Sequence, residues 1–265
     1  MLIRFASFLG DNGFAFYSRV AAYVGEASGL PTQMVADTSA GMDALFGEGL
    51  IEAAFGCGLP YVWKAAESQP TVRLMAAPVM PSPRYDDRPI YYADVIVRHD
   101  SRFQTLDDLR GATFAYNQTI SFSGYVLPIY HWLTLGEKLH SFFAKTVETG
   151  SHANSMDGVE GGQADAAAID SVVLDMEYLQ RPEREKAFRV LAHCGPASIP
   201  PVIASARLDA ETHARLAEAL VNMHTTERGQ AVLKMGGVRR FAMVTDRDYD
   251  DIRRMYKAVE AGAIS

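Results

Sequence analysis

The chain has 265 residues, 48% of them hydrophobic, and sets 25 Lys and Arg against 32 Asp and Glu for a net charge of −7. That length allows one large core or two smaller ones, and that charge has the wrong sign for holding nucleic acid through its phosphates. An acidic body also repels anions at long range, so an anionic ligand has to be held at short range by backbone N–H groups and hydroxyls.

The chain opens on an apolar strand, Leu2 to Phe8, and a Gly/Asp/Asn loop. A helix follows with Phe16, Val20, Tyr23 and Val24 on one face, stopped by Gly29 and Pro31. A strand near Met34 to Ala36 leads into Asp37-Thr38-Ser39, a helix start, and a short helix carrying Met42, Leu45 and Phe46. Strands at Ile51 to Phe55 and Val72 to Met80 continue an alternation of strand and helix that predicts a mostly parallel sheet. The proline-rich loop Pro81 to Pro89 and the strand Tyr91 to Val97 mark a first crossing into another domain. Beyond it, Thr105 to Gly111 reads as a short helix with Asp108 in its first turn, then a strand at Ala112 to Tyr116 and a helix from about Ser123 to Leu135. Strands near Thr146 to Glu148, Asp165 to Ile169 and Phe188 to Cys194 complete this block. The extended, proline-containing Ser198 to Ala204 is the return crossing, and three helices at Asp209 to Met223, Thr226 to Met235 and Thr245 to Ala261 finish the chain. The expected division is therefore 1–94 with 200–265 as one α/β lobe and 95–199 as a second.

The stretch richest in chemistry is Asn117-Gln-Thr-Ile-Ser-Phe-Ser-Gly-Tyr-Val-Leu-Pro128, between a strand and a helix. Thr119, Ser121 and Ser123 place three hydroxyls where a helix leaves its first N–H groups without internal partners and its dipole is positive, a combination that binds anions. Gly124 lets the backbone come close to a ligand. Ser123 has a second reading, as the cap of its own helix. No G-x-x-x-x-G-K-[ST] occurs, which argues against a nucleotide P-loop.

A catalytic reading needs a nucleophile with a base, a carboxylate pair or a metal cluster. Cys57, in a glycine-rich turn, is a candidate nucleophile, but Cys57 and Cys194 have no metal-binding or redox spacing and read as two buried thiols. None of the histidines stands in an H-x-x-x-H or H-E-x-x-H pattern, so neither metal nor cofactor is expected. No run reaches the ~18 apolar residues of a membrane span. The start, MLIRFASFLGDNG, lacks the parts of a signal peptide: the reading is a cytoplasmic protein if Met1 is the native start and a periplasmic one if a leader preceded it.

Taken in order, Tyr92 to Ser101, Thr105 to Gly111 and Ser121-Phe-Ser-Gly-Tyr-Val-Leu-Pro128 resemble the phosphonate, phosphate and phosphite substrate-binding components of ABC importers. In that family a strand, a "Ser, then Asp-Leu-Lys/Arg-Gly" helix and a Ser-Thr-Ser-Gly-x-x-x-Pro helix start recur in this order. Ala53-Ala-Phe-Gly56 with Tyr61, Gly150-Ser-His152 and Ala164 to Asp170 resemble further segments of it, so the likeness covers residues from about 35 to 235. The resemblance implies an α/β, two-lobed periplasmic-binding fold of type II with a ligand cleft between lobes, hinged near Ala93 to Val95 and Ser198 to Val202. It implies no enzyme, a small oxyanion as ligand and an ABC permease as partner. Ser121 and Ser123 match the anion-holding hydroxyls, Phe122 stands where threonine is usual, and Asn117 and Thr119 are offered as its replacement. His152 matches a ligand contact, and Phe55 an aromatic position, with a plain core role as its other reading. The acidic positions that pair with an amine in aminoalkylphosphonate binders fall on Val173 and Pro200, which argues against such ligands; Asp170 either faces the site or caps the next helix. A cytoplasmic biosynthetic enzyme or ligand sensor on the same fold is the alternative.

Overall fold

The computed structural model describes residues 1–264. Its strands are β1 (Ile3–Ser7), β2 (Thr32–Met34), β3 (Ala53–Phe55), β4 (Val72–Val79), β5 (Ile90–Arg98), β6 (Thr113–Tyr116), β7 (Lys145–Glu148), β8 (Ala166–Asp170), β9 (Phe188–Ser198), β10 (Val202–Ser205) and β11 (Arg240–Ala242). Its α-helices are α1 (Phe14–Ser28), α2 (Gly41–Gly47), α3 (Gly58–Ala65), α4 (Leu127–Thr134), α5 (Leu139–Phe142), α6 (His152–Glu160), α7 (Ser171–Gln180), α8 (Ala210–Val221), α9 (Glu227–Met235) and α10 (Asp250–Ile264). The chain forms two compact units, Met1–Ile90 with Ser198–Asp250, and Tyr91–Ala197 with Asp251 onward.

The first unit is built on a six-stranded sheet of order β11-β4-β10-β3-β1-β2. β1 runs parallel to β2 and β3, as the alternation of strand and helix requires. The sheet is nevertheless mixed, because β10 lies antiparallel between β3 and β4 and β11 antiparallel on β4. Both come from the returning part of the chain, where no βαβ crossover dictates their direction. The apolar face expected of α1 is the buried one, with Phe16, Val20, Tyr23 and Val24 inside. Phe55 on β3 stacks against Phe5, ring centroids 5.9 Å apart, and against Tyr17 at 4.5 Å.

The second unit holds a five-stranded sheet of order β7-β6-β8-β5-β9. β6 is parallel to β7 and β8, whereas β5 is antiparallel to β8, from Ala93 opposite Asp170 to Val97 opposite Ala166. Every residue of β8, Ala-Ala-Ala-Ile-Asp, is buried, the pattern of a central strand covered on both faces. Its small side chains leave room for α6 and α7, whose Met156, Val159 and Leu174 close one core with Ile96, Ile169 and Phe188. A second cluster gathers around Trp132, fully buried, with Phe114, Phe142 and Phe143; the Phe114 and Phe143 rings stack at 4.6 Å. Arg184 is buried where α6 and α7 meet and donates to Glu177, Asp157 and Glu160 at 2.9, 2.8 and 2.7 Å.

The boundaries fall at 90/91 and 197/198, and a third crossing at 250/251 puts α10 with the second unit instead of the first. The reason is local: Gly262 leaves α10 so close to α4 that a Cβ there would stand 2.9 Å from Leu133. Helix α3 was not expected, since Gly58 and Pro60 disguise it; both fall in its first turn, where proline costs no hydrogen bond. Cys57, half-buried, and Cys194, wholly buried, are not joined in a disulfide. Among the described residues no helix is long and apolar enough to cross a membrane, and no group of His, Cys, Asp or Glu is placed to hold a metal ion.

Candidate functional site

The hydroxyl-rich segment leaves β6 at Tyr116, turns, and enters a π-helical turn, Phe122–Val126, that runs directly into α4. Wide turns of this kind recur at functional sites, because they displace the backbone from regular helical spacing. Ser121 is the residue that caps it: its backbone is extended, and its Oγ accepts the Gly124 N–H at 3.1 Å. The capping role considered for Ser123 therefore belongs to Ser121, and the Gly124 amide is taken up by that cap and no longer open to a ligand. The amides of Phe122 and Ser123 precede the first helical hydrogen bonds.

Ser123 turns inward and is 3% exposed. Its Oγ lies 3.3 Å from His152 Nε2 and donates to Asp170 Oδ2 at 3.3 Å. Three separate elements make this meeting. Gly150, at φ +85°, reverses the chain after β7 so that Ser151 can cap α6 and His152 can open it. Asp170 ends β8 and caps α7, its Oδ1 accepting from Val172 N at 2.8 Å and Val173 N at 3.4 Å. Asp170 thus caps the next helix with Oδ1, while its Oδ2 meets Ser123. His152 and Asp170 are 8% and 6% exposed.

Burial sets the charge state of both. It pushes His152 down to about 4, so the imidazole is neutral at pH 7; the Ala168 backbone opposes part of that shift, although Nδ1 completes no hydrogen bond. Burial pushes Asp170 up to about 7, with the Asp94 charge adding to it and the Val172, Val173 and Ser123 hydrogen bonds opposing it. At pH 7 the His152 imidazole is thus uncharged, and Asp170 is divided between its protonated and ionised forms.

Asn117 is also buried here, and its Oδ1 has no hydrogen-bond partner. It crowds Gly124: a Cβ added to Gly124 would lie 1.9 Å from Asn117 Oδ1 and 3.2 Å from His152 Cε1. The close approach that glycine allows is thus to Asn117 and His152 within the unit. Gly124→Ala is expected to cost about 1–3 kcal/mol of stability through overpacking, read as a lowered urea midpoint; an unchanged midpoint would show that Asn117 swings aside freely.

The remaining expected residues lie apart from this cluster. Thr119 is exposed on the turn before Ser121, and the Phe122 side chain is 0% exposed, so only its backbone can reach a ligand. Phe55 belongs to the other unit and is 1% exposed in its aromatic stack, which is the core reading. Two residues that the sequence did not single out stand behind Asp170: Asp94 on β5, fully buried, and His193 on β9, whose Nδ1 is 2.6 Å from Asp94 Oδ1. Only an apolar strand broken by a lone aspartate, Tyr91-Tyr-Ala-Asp-Val-Ile-Val97, could have signalled them.

A sequence profile described as "ABC transporter, phosphonate, periplasmic substrate-binding protein" matches residues 7–249. The curated phosphonates-binding periplasmic protein of Escherichia coli is 26% identical over 174 residues, 64% of this chain and 51% of its own length, so the chain spans about half the length of that relative. Among solved structures, a binding protein component of an ABC phosphonate transporter from Pseudomonas aeruginosa superposes with a TM-score of 0.81 at 17% identity, covering 98% of this chain and 86% of its own. A Prochlorococcus marinus protein in complex with methylphosphonate gives 0.83 at 16% identity, with 98% of each chain covered. At such identities the structural likeness establishes the fold, the α/β arrangement of two-lobed periplasmic-binding proteins. The profile covers nearly the whole chain, and with it the chain belongs to the family of periplasmic substrate-binding proteins of phosphonate ABC transporters.

Proposed function

We propose that the chain captures a small oxyanion, a phosphonate, phosphate or phosphite, for delivery to an ABC permease, and that it catalyses no reaction. The observation that carries this is the gathering of Ser121, Ser123 and His152 at one helix start in the second unit, beside Asn117, whose side-chain Oδ1 has no partner. Hydroxyls, the Phe122 and Ser123 amides and the positive end of the helical segment supply donors for phosphoryl oxygens without a formal positive charge. Methylphosphonate, bound by the Prochlorococcus relative, is a fitting first ligand. An amine would find no acidic partner at the partly buried Val173 on α7, which favours ligands without one.

A thermal-shift series tests this. Methylphosphonate, phosphate or phosphite is expected to raise the melting midpoint, since a ligand at a hundred times its Kd adds about 2.7 kcal/mol. Aminoethylphosphonate is expected to raise it less. No shift with any of the three amine-free anions overturns the reading.

A further inference from the structure

Building on the proposed anion site, we infer that Asp170 is a positioning residue that turns the Ser123 hydroxyl toward the ligand when protonated and away from it when ionised. A serine hydroxyl has one proton to donate. At Ser123 that proton has two claimants inside the protein, Asp170 Oδ2 and, in the tautomer with its proton on Nδ1, His152 Nε2, both at 3.3 Å, and the bound anion is a third. Asp170 Oδ1 is held by the Val172 and Val173 amides, so Oδ2 is the oxygen that faces Ser123. An ionised Asp170 can only accept, and as a charged acceptor it takes the Ser123 proton, which presents a lone pair to the oxyanion. A protonated Asp170 donates to Ser123 Oγ instead. The hydroxyl proton is then contested by a neutral imidazole and an anion, and the charge-assisted bond to the anion prevails.

The carboxyl titrates at about 7. The charged group that bears on it is Asp94 from β5, paired with His193 from β9, and that charge also reaches Tyr178 of α7; His152 from α6 meets the carboxyl only through Ser123. Ligand binding to the protein with Asp170 ionised therefore takes up one proton from solvent, and affinity falls as pH rises through that range. At about pH 8.5 only a few per cent of Asp170 is protonated, which caps the weakening at about thirtyfold.

Asp170→Asn tests this. Its amide oxygen can keep the Val172 and Val173 bonds, while its NH2 donates to Ser123 at every pH. Calorimetric titration with methylphosphonate is expected to give equal Kd for variant and wild type at about pH 5.5, and a variant roughly tenfold or more tighter at about pH 8.5. Comparing the two proteins at one pH cancels the ligand's own titration. In a Ser123→Ala background the alkaline gain of Asp170→Asn is expected to vanish. A gain that persists there is plain charge repulsion by Asp170, and a ratio of one at both pH values leaves Asp170 a cap alone; each overturns the inference. With Ser123→Ala itself weakening binding, the proposed site survives either result, whereas Ser123→Ala binding like wild type removes the site and the inference together. The wild type gives an independent reading that needs no variant. Its Asp170 carboxyl carbon resonance is expected to stay in the protonated form to higher pH with methylphosphonate than without it, and an unchanged titration overturns the inference.

Discussion

Replacing Ser123 by alanine is expected to weaken methylphosphonate binding tenfold to a hundredfold, because a hydrogen bond to a charged oxygen is worth about 1.5–3 kcal/mol. The geometry separates this effect from loss of a helix cap. Ser121 holds the capping bond to Gly124, whereas Ser123 Oγ meets only His152 and Asp170. Removing it leaves two neutral buried groups one partner short, a stability cost of about 1 kcal/mol at pH 6, where Asp170 is protonated. Calorimetric titration beside a urea midpoint distinguishes the cases. A lowered midpoint with unchanged Kd would make Ser123 structural, and the anion site would then have to be sought elsewhere. Ser121→Ala serves as the comparison, since it should lower the midpoint by the ~1 kcal/mol of a lost cap.

Arg184→Ala is expected to destabilise the second unit by about 3–5 kcal/mol. The guanidinium is 7% exposed and binds one carboxylate that is more buried still, Glu177 at 2%. Asp157 and Glu160 reach it from the solvent side, and water can replace arginine for them. Truncation leaves Glu177 buried with Arg181 as its cationic neighbour among the described residues. Glu160→Ala, by contrast, should cost about 1 kcal/mol or less. Urea unfolding of the two variants measures the difference. Combining Arg184→Met with Glu177→Leu should recover much of the loss, because the pair costs more to break than to replace. Equal midpoints for Arg184→Ala and Glu160→Ala would refute this account of the cluster.

Much of the site was legible in the sequence because its signal is local. Three hydroxyls in five residues, followed by glycine and a helix, predict a helix start of the kind that binds anions, and Ser121, Ser123 and Gly124 do stand at a helix start. The division of labour between the serines was not legible. It depends on the π-helical turn, which shifts the hydroxyl that reaches an amide, and on His152 and Asp170, which arrive from α6 and β8. Phe55 shows the opposite limit, since a buried aromatic on a three-residue strand reads the same whether it faces a ligand or a core. The direction of β10 and the placement of α10 were hidden for a third reason. Neither is encoded by the segment's own pattern; the first follows from which strands it inserts between, the second from the gap at Gly262 that admits Leu133.

The fully buried Trp132 gives the protein a property that its packing did not set out to supply. The chain has two tryptophans, and they divide one to each unit: Trp132 sealed among phenylalanines in the second, Trp63 on α3 in the first and 40% exposed. An indole in a dry aromatic cage emits at shorter wavelength than one in contact with water. The two units therefore carry distinguishable native fluorophores, and a red shift of the blue component alone reports the second unit opening while the first stays folded. The intrinsic emission spectrum can say whether the protein unfolds in one step or two, without any label.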